Sequence, residues 1–305
     1  MSGRFKNVFL LLAVLYCCSV SIYPQSFGTL NKEIKGTVYQ SLTFYSKRIK
    51  ENISYSVYLP PGYLSSQKKY PVFYLLHGLG GNETSWINNF SVHNAVDSLI
   101  REDAIPPMII VLPDGRRSYY INDYRADFPY ETIFINEFIP FIDSFYKTES
   151  SKPFRVIGGL SMGGFGALIN CIRHPGYFTA AVVLSAAVRT DSMIINENAE
   201  KYHQNFSPVF GDSIWQYRQL TRHWIDNNPL YLAGLQPDSL RTVHWYFDCG
   251  LSDYLLPGNE ALHDLFIRYQ IPHEFHVKSG GHERAYWESA LVPMLLYTGR
   301  VFSGN

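Results

Sequence analysis

Early in the chain, apolar and polar positions alternate. "GTVYQSLTFYSKRIK" and "ISYSVYLP" follow a two-residue period, as half-buried strands do, and a turn-rich link "PPGYLSSQKKY" comes after them. The alternation then gives way to short continuous apolar runs: "PVFYLL" from Pro71, "PMIIVLP" from Pro107, "RVIGGL" from Arg155 and "AAVVLSAA" from Ala180. Such runs suit strands buried on both faces. Between them, "SVHNAVDSLIRE", "ETIFINEFIPFIDSFYK" and "MGGFGALINCIRHPGYF" carry helical spacing. The second reads as a helix despite Pro140, and the third ends at His174-Pro175-Gly176. From Val188 to about Thr242 the pattern loosens into short helical and turn pieces rich in aromatics. "VHWYFDCG" is then a strand, "GNEALHDLFIRYQ" a helix, "PHEFHVKSGG" a strand holding His273 and His276, and "ERAYWESALVPMLLYTG" a last helix. Strands alternating with helices predict an α/β fold, with a mostly parallel sheet covered on both faces.

The first residues break this pattern. Arg4 and Lys6 precede an uncharged apolar run from Val8 to Val20, and Ser19 and Ser21 are small residues suited to a cleavage site. This is the layout of a secretory signal peptide over residues 1–21, and the run is short for a membrane span. Cys17 and Cys18 raise a lipidation site, against which stands the bulky Tyr16. The expectation is an exported chain, periplasmic, cell-surface or secreted, with no stable membrane span after cleavage. No Pro/Gly/Ser-rich linker divides the remainder. Residues 22–305 therefore read as one domain with a cap-like insertion at about 190–240.

Bulk composition narrows the function classes. Of 305 residues, 46% are hydrophobic, enough for a sizeable core. Lys+Arg and Asp+Glu both number 26, so the formal net charge is zero, and there is no electrostatic footprint for nucleic acid. Tyr (23) and Phe (20) are abundant, which admits an aromatic-lined cleft. Cys171 and Cys249 remain after the leader, each in an apolar setting, and read as buried free thiols. No Cys/His cluster points to a metal, and no motif points to an organic cofactor. Four Asn-x-Ser/Thr sequons begin at Asn52, Asn82, Asn89 and Asn205.

In an open parallel sheet, ligands bind outside the carboxyl ends of the strands. The polar residues just past each strand are therefore the candidates for chemistry. His77-Gly78-Leu79-Gly80-Gly81, Asp114-Gly115, Ser161, Asp253 and His282 all stand there. Gly159-Leu160-Ser161-Met162-Gly163 matches G-x-S-x-G, in which glycines two residues either side of the serine let a strand turn sharply into a helix. A serine hydroxyl needs a base. His282, in a Gly-Gly-His turn, is the candidate; the other nine histidines fall in other motifs, on helices or strands, or in the loose segment. The acid is Asp253 or Asp248. Asp253 is preferred because Asp248, five residues earlier, lies inside the strand. The backbone N–H groups of Met162 and Leu79 are the candidate donors to an oxyanion.

Together, "VYLPPGY", "YPVFYLLHGLGGNETSW", "VLPDGRRSYY", "GLSMGGFGAL", "HPGYF", "DCGLSD" and "GGHERAYW" resemble the esterase D-like branch of the α/β-hydrolases. That branch includes tributyrin-type, feruloyl and acetyl-xylan esterases, S-formylglutathione hydrolases and mycolyltransferases. The resemblance runs from about Val57 to the C-terminus and is weakest between Val188 and Thr242. It implies an α/β-hydrolase fold and a serine carboxylesterase, with Ser161, Asp253 and His282 as triad and Leu79 and Met162 as oxyanion donors. It also implies Trp86, Asp114 and Tyr119 at the edge of the pocket. Acetyl or feruloyl esters of plant polysaccharide are the expected substrates. Acyl transfer to a sugar hydroxyl, and a non-catalytic binding protein on the same fold, are the alternatives.

Overall fold

The computed structural model describes residues 35–304; the leader expected over residues 1–21 lies outside the described residues. Eight strands form one sheet: β1 (Thr37–Ser46), β2 (Glu51–Leu59), β3 (Val72–Leu76), β4 (Ile109–Pro113), β5 (Arg155–Leu160), β6 (Ala180–Leu184), β7 (His244–Gly250) and β8 (Glu274–Lys278). Their order across the sheet is β1-β2-β4-β3-β5-β6-β7-β8. β1 with β2 and β2 with β4 are antiparallel, and every other neighbouring pair is parallel. His273 precedes β8 instead of lying within it; its Nδ1–H donates to Ile271 O (2.8 Å) and its Nε2 lies 2.7 Å from His263 Nδ1.

Successive side chains along a strand point to opposite faces. The continuous apolar runs therefore supply two cores at once. Val72, Tyr74, Leu76, Ile109, Val111, Ile157, Ala181 and Val183 pack on one face. Phe73, Leu75, Ile110, Leu112, Val156, Val182 and Leu184 pack on the other. Each fully buried Val, Leu, Ile or Phe contributes roughly 1.5–3 kcal/mol by leaving water.

Five longer helices cover these faces. They are α1 (Val92–Arg101), α2 (130–145), α3 (Met162–Arg173), α4 (Leu256–Arg268) and α5 (Arg284–Ser303). Phe134, Phe138 and Ile142 of α2, Leu168 and Ile172 of α3 and Leu262 and Phe266 of α4 close the first core. Val92, Val96 and Leu99 of α1 and Ala290, Met294 and Leu295 of α5 close the second. Pro140 is accommodated by a local change of helix type. Residues Phe134–Phe138 form a π-helical turn, and Pro140 then sits in the first turn of the α-helical Ile139–Phe145, where its missing N–H costs least.

Between β6 and β7, residues 191–240 fold as seven short helices, from Asp191–Ile195 to Pro237–Leu240. Thr190, Asn198, Thr221 and Asn228 each accept backbone N–H bonds at a helix start. Tyr202, Phe206, Phe210 and Trp224 then join this segment to the first core. Cys171 and Cys249 are buried free thiols, and burial pushes the Cys249 thiol up to about 12. No helix of the described residues is long and apolar enough to cross a membrane.

Candidate active site

The parallel register aligns Leu76 with Gly159, Leu160 with Leu184, Leu184 with Asp248 and Gly250 with Lys278. The loops after β3, β5, β7 and β8 therefore open on the same edge of the sheet. Ser161 stands between the last residue of β5 and the first of α3, at φ 55° and ψ −115°. A non-glycine residue in that region is strained and persists only where its surroundings over-determine it. Three hydrogen bonds do so: Ser161 N–H donates to Leu184 O (2.9 Å), and Ser161 O accepts from Phe165 N (3.0 Å) and Ala187 N (3.0 Å). The flanking glycines provide clearance. A Cβ on Gly159 would stand 2.6 Å from Leu76 O, and one on Gly163 would overlap the Leu76 carbonyl, with His77 O 2.8 Å away. Gly164 lets α3 approach Leu184 O, while Gly166 makes room for the Tyr120 ring.

His282 lies between β8 and α5 and meets both of its expected partners. Its Nε2 is 2.9 Å from Ser161 Oγ and its Nδ1 is 2.9 Å from Asp253 Oδ2. A carboxylate at Nδ1 keeps the proton there, so Nε2 is left to accept from the serine hydroxyl. Asp253 is 4% exposed. Burial opposes its charge, but hydrogen bonds from His282 and from Leu255 N–H (2.8 Å) outweigh burial and hold the carboxyl below its ordinary value. Asp248 has other duties. Buried within β7, it accepts from Tyr246 OH (3.2 Å) and Tyr286 OH, and pairs with Lys278 Nζ at 2.7 Å.

Ser161, Leu79, Met162 and His282 line one cavity of about 500 Å³. Met162 opens α3, so its N–H belongs to the helix-start donors that have no intrahelical acceptor. The loop carrying Leu79 is fixed by its neighbours. Trp86 Nε1 donates to Leu76 O (2.9 Å), Tyr120 OH to His77 O (3.0 Å), and Gly81 N–H to Gly78 O (3.0 Å). His77 Nε2 accepts from Gly115 N–H at 2.9 Å, which leaves its Nδ1–H to donate to Gly78 O at 2.8 Å. The Ser161 hydroxyl, the His282 imidazole and the residues Leu79 and Met162 thus border one space.

Trp86 and Tyr119 line the cavity as expected, whereas Asp114 does not. Its carboxylate lies behind the site, 3.2 Å from His77 Nε2, and accepts from Arg116 N–H at 2.8 Å. A strand-end position says where a residue sits but not which way its short side chain turns. The lining also holds Phe90, Arg189, Phe206, Tyr254, Arg284 and Trp287, none of which sequence reasoning singled out. Tyr254, Arg284 and Trp287 follow Asp253 or His282 closely enough for chain proximity to find them. Arg189 and Phe206 lie where no period guides the eye.

A match to the Esterase family model spans residues 46–298. The chain belongs to the Esterase family. Its fold is that of the α/β-hydrolases. The chain is 34% identical over 186 residues, 58% of its length, to an endo-1,4-β-xylanase/feruloyl esterase of Xylanibacter ruminicola, and spans only 26% of that protein. An acetyl esterase of Caldicellulosiruptor saccharolyticus is 26% identical over 278 residues, 85% of this chain and 97% of the relative. A solved ferulic acid esterase superposes with a TM-score of 0.75 at 29% identity, over 88% of this chain and 99% of the other.

Proposed function

We propose that this esterase works through an acyl-enzyme, with Ser161 as nucleophile, His282 as base and Asp253 as the carboxylate that orients it. The supporting observation is the unbroken hydrogen-bonded line from Ser161 Oγ through both His282 nitrogens to Asp253 Oδ2, beside a cavity open to Ser161. Ser161 Oγ attacks the ester carbonyl carbon while its proton passes to His282 Nε2. The carbonyl π electrons move onto oxygen, and the Leu79 and Met162 N–H groups hold that oxyanion. Collapse expels the alcohol, which takes the proton from His282. Water, deprotonated by the same nitrogen, then releases the acid and restores Ser161.

The substrates proposed are acetyl or feruloyl esters on plant polysaccharide fragments. Support comes from the names of the relatives, feruloyl esterase and acetyl esterase, and from the aromatic lining of Trp86, Phe90, Tyr119, Phe206, Tyr254 and Trp287. The basic start and apolar run of residues 1–21 support export. A phosphonate that traps active-site serines tests the mechanism. Peptide mapping is expected to find it on Ser161, and a folded protein that hydrolyses p-nitrophenyl acetate yet stays unlabelled there sinks the reading. Initial rates on methyl ferulate beside acetylated xylan test the substrate class.

A further inference from the structure

We infer that Tyr254 and Trp287 are positioning residues for His282: two aromatic rings that hold its imidazole and stabilise the imidazolium formed when Ser161 releases its proton. The inference rests on the reading of His282 as the base. The Tyr254 ring centroid lies 4.8 Å from that of His282, tilted by 57°. The Trp287 ring lies 4.9 Å away and nearly perpendicular, at 89°. The two come from different elements, Tyr254 from the turn after β7 and Trp287 from the first turn of α5.

Trp287 packs in part against the second core, whereas Tyr254 belongs to neither core. Tyr254 is 60% exposed and packs on a part-buried hydrogen-bonded line. Trp287 Nε1 is buried without a hydrogen-bond partner among the described residues, so packing and not an N–H bond sets the indole. Arg189 holds Tyr254 from the other direction. Its guanidinium lies 5.9 Å from the Tyr254 ring and 4.5 Å from that of Phe206, and its charge is matched by Glu197 at 3.7 Å.

The energetic need arises at one moment. When the Ser161 O–H bond breaks, its electron pair forms the new bond to the carbonyl carbon and the proton goes to Nε2. The imidazole then carries a full positive charge. Asp253 answers that charge in the ring plane, at Nδ1, and the aromatic rings answer it by cation–π attraction. The other titratable or charged groups around His282 are Ser161, the Tyr254 phenol with Arg189 behind it, Glu283 and Arg284 next in the chain, and His77 across the cavity.

The test compares Tyr254→Leu and Trp287→Leu with Tyr254→Phe and Trp287→Phe in the whole protein. The readout is the rate at which a small fluorophosphonate labels Ser161 across pH, alongside kcat/KM for p-nitrophenyl acetate. Each Leu variant is expected to label about 3- to 10-fold more slowly, with its acidic limb moved down by roughly half a pH unit, and each Phe variant to recover most of the rate. A loss confined to KM for bulky esters, with an unchanged labelling profile, overturns the proposal in favour of a plain pocket wall. So does a loss that vanishes when rates are scaled to the titrated active serine. The exposed Tyr254 keeps the test open if Trp287→Leu does not fold. His282→Ala separates the two readings: undiminished labelling there removes His282 as the base, whereas strong loss there with unaffected Leu variants removes only the role of the rings.

Discussion

Two regions face each other across the cavity, and they are held by different means. The strand-end side is fixed at main-chain atoms: Ser161 by three main-chain hydrogen bonds, and the Leu79 loop by Trp86, Tyr120, His77 and Gly81, which donate to the carbonyls of Leu76, His77 and Gly78. The 191–240 side is set by side chains. Its helices run four to seven residues, too short to stand alone, and persist through caps and aromatic packing. Atoms that must be placed to a fraction of an ångström sit on the first side, where the sheet dictates position. The second side can change its cavity-facing residues without moving the sheet. Substitution of Asn205 or Phe206, the cavity-lining residues of the second side, is therefore expected to alter ester preference while leaving Ser161 in place.

The largest break is expected from Ser161→Ala, with turnover of p-nitrophenyl acetate down by about 10⁴-fold or more and far-UV circular dichroism unchanged. The two aspartates come next. Asp253→Asn is expected to lower kcat by about 10³- to 10⁴-fold because the imidazole loses its tautomer. Asp248→Asn is expected instead to lower stability, by roughly 1–3 kcal/mol in urea titration, since Tyr246, Tyr286 and Lys278 lose a charged acceptor. A kcat per folded molecule that falls only in Asp248→Asn reverses the assignment.

Gly163→Ala tests how tightly backbone governs the first side. Relief of the overlap with Leu76 must displace the turn, so activity is expected to fall about 10²-fold, with a loss of roughly 1–3 kcal/mol. On the other side, Asn205→Ala removes a cavity-lining group from the helical segment. There the ratio of kcat/KM for methyl ferulate to that for p-nitrophenyl acetate is expected to move only about 3- to 10-fold. The smallest effect concerns acid. Because the folded Asp253 carboxyl lies below its ordinary 3.8, its contribution to stability is complete above that value and is lost as pH falls through the lower, folded one. Urea midpoints taken from about pH 6 to about pH 3 should therefore fall more steeply below 3.8 in the native protein than in Asp253→Asn.

The same division explains what could be read in advance. Continuous apolar runs ending at Gly, Ser, Asp and His placed the sheet and the residues around Ser161, because periodicity and strand-end position both follow from backbone geometry. Asp114 misled for the reason that side-chain direction does not: its carboxylate turns back to His77. Gly166 likewise answers to Tyr120, a partner 46 positions away that no local pattern reveals. Arg189 and Phe206 were out of reach because helices held by tertiary contacts carry little periodic signal of their own.

The strained turn at Ser161 also has a consequence for the order of events in folding. Its amide is satisfied by β6, and its glycines fit only once β3 is alongside β5. The unusual dihedral angles are thus affordable only after three strands separated by long stretches of chain have zipped together. His282 and Asp253 arrive from still later segments. In a half-assembled chain Ser161 lacks these supports. Under the mechanism proposed above, the reactivity of Ser161 requires the assembled sheet, so its labelling by a phosphonate is expected to gauge how much of a preparation has matured.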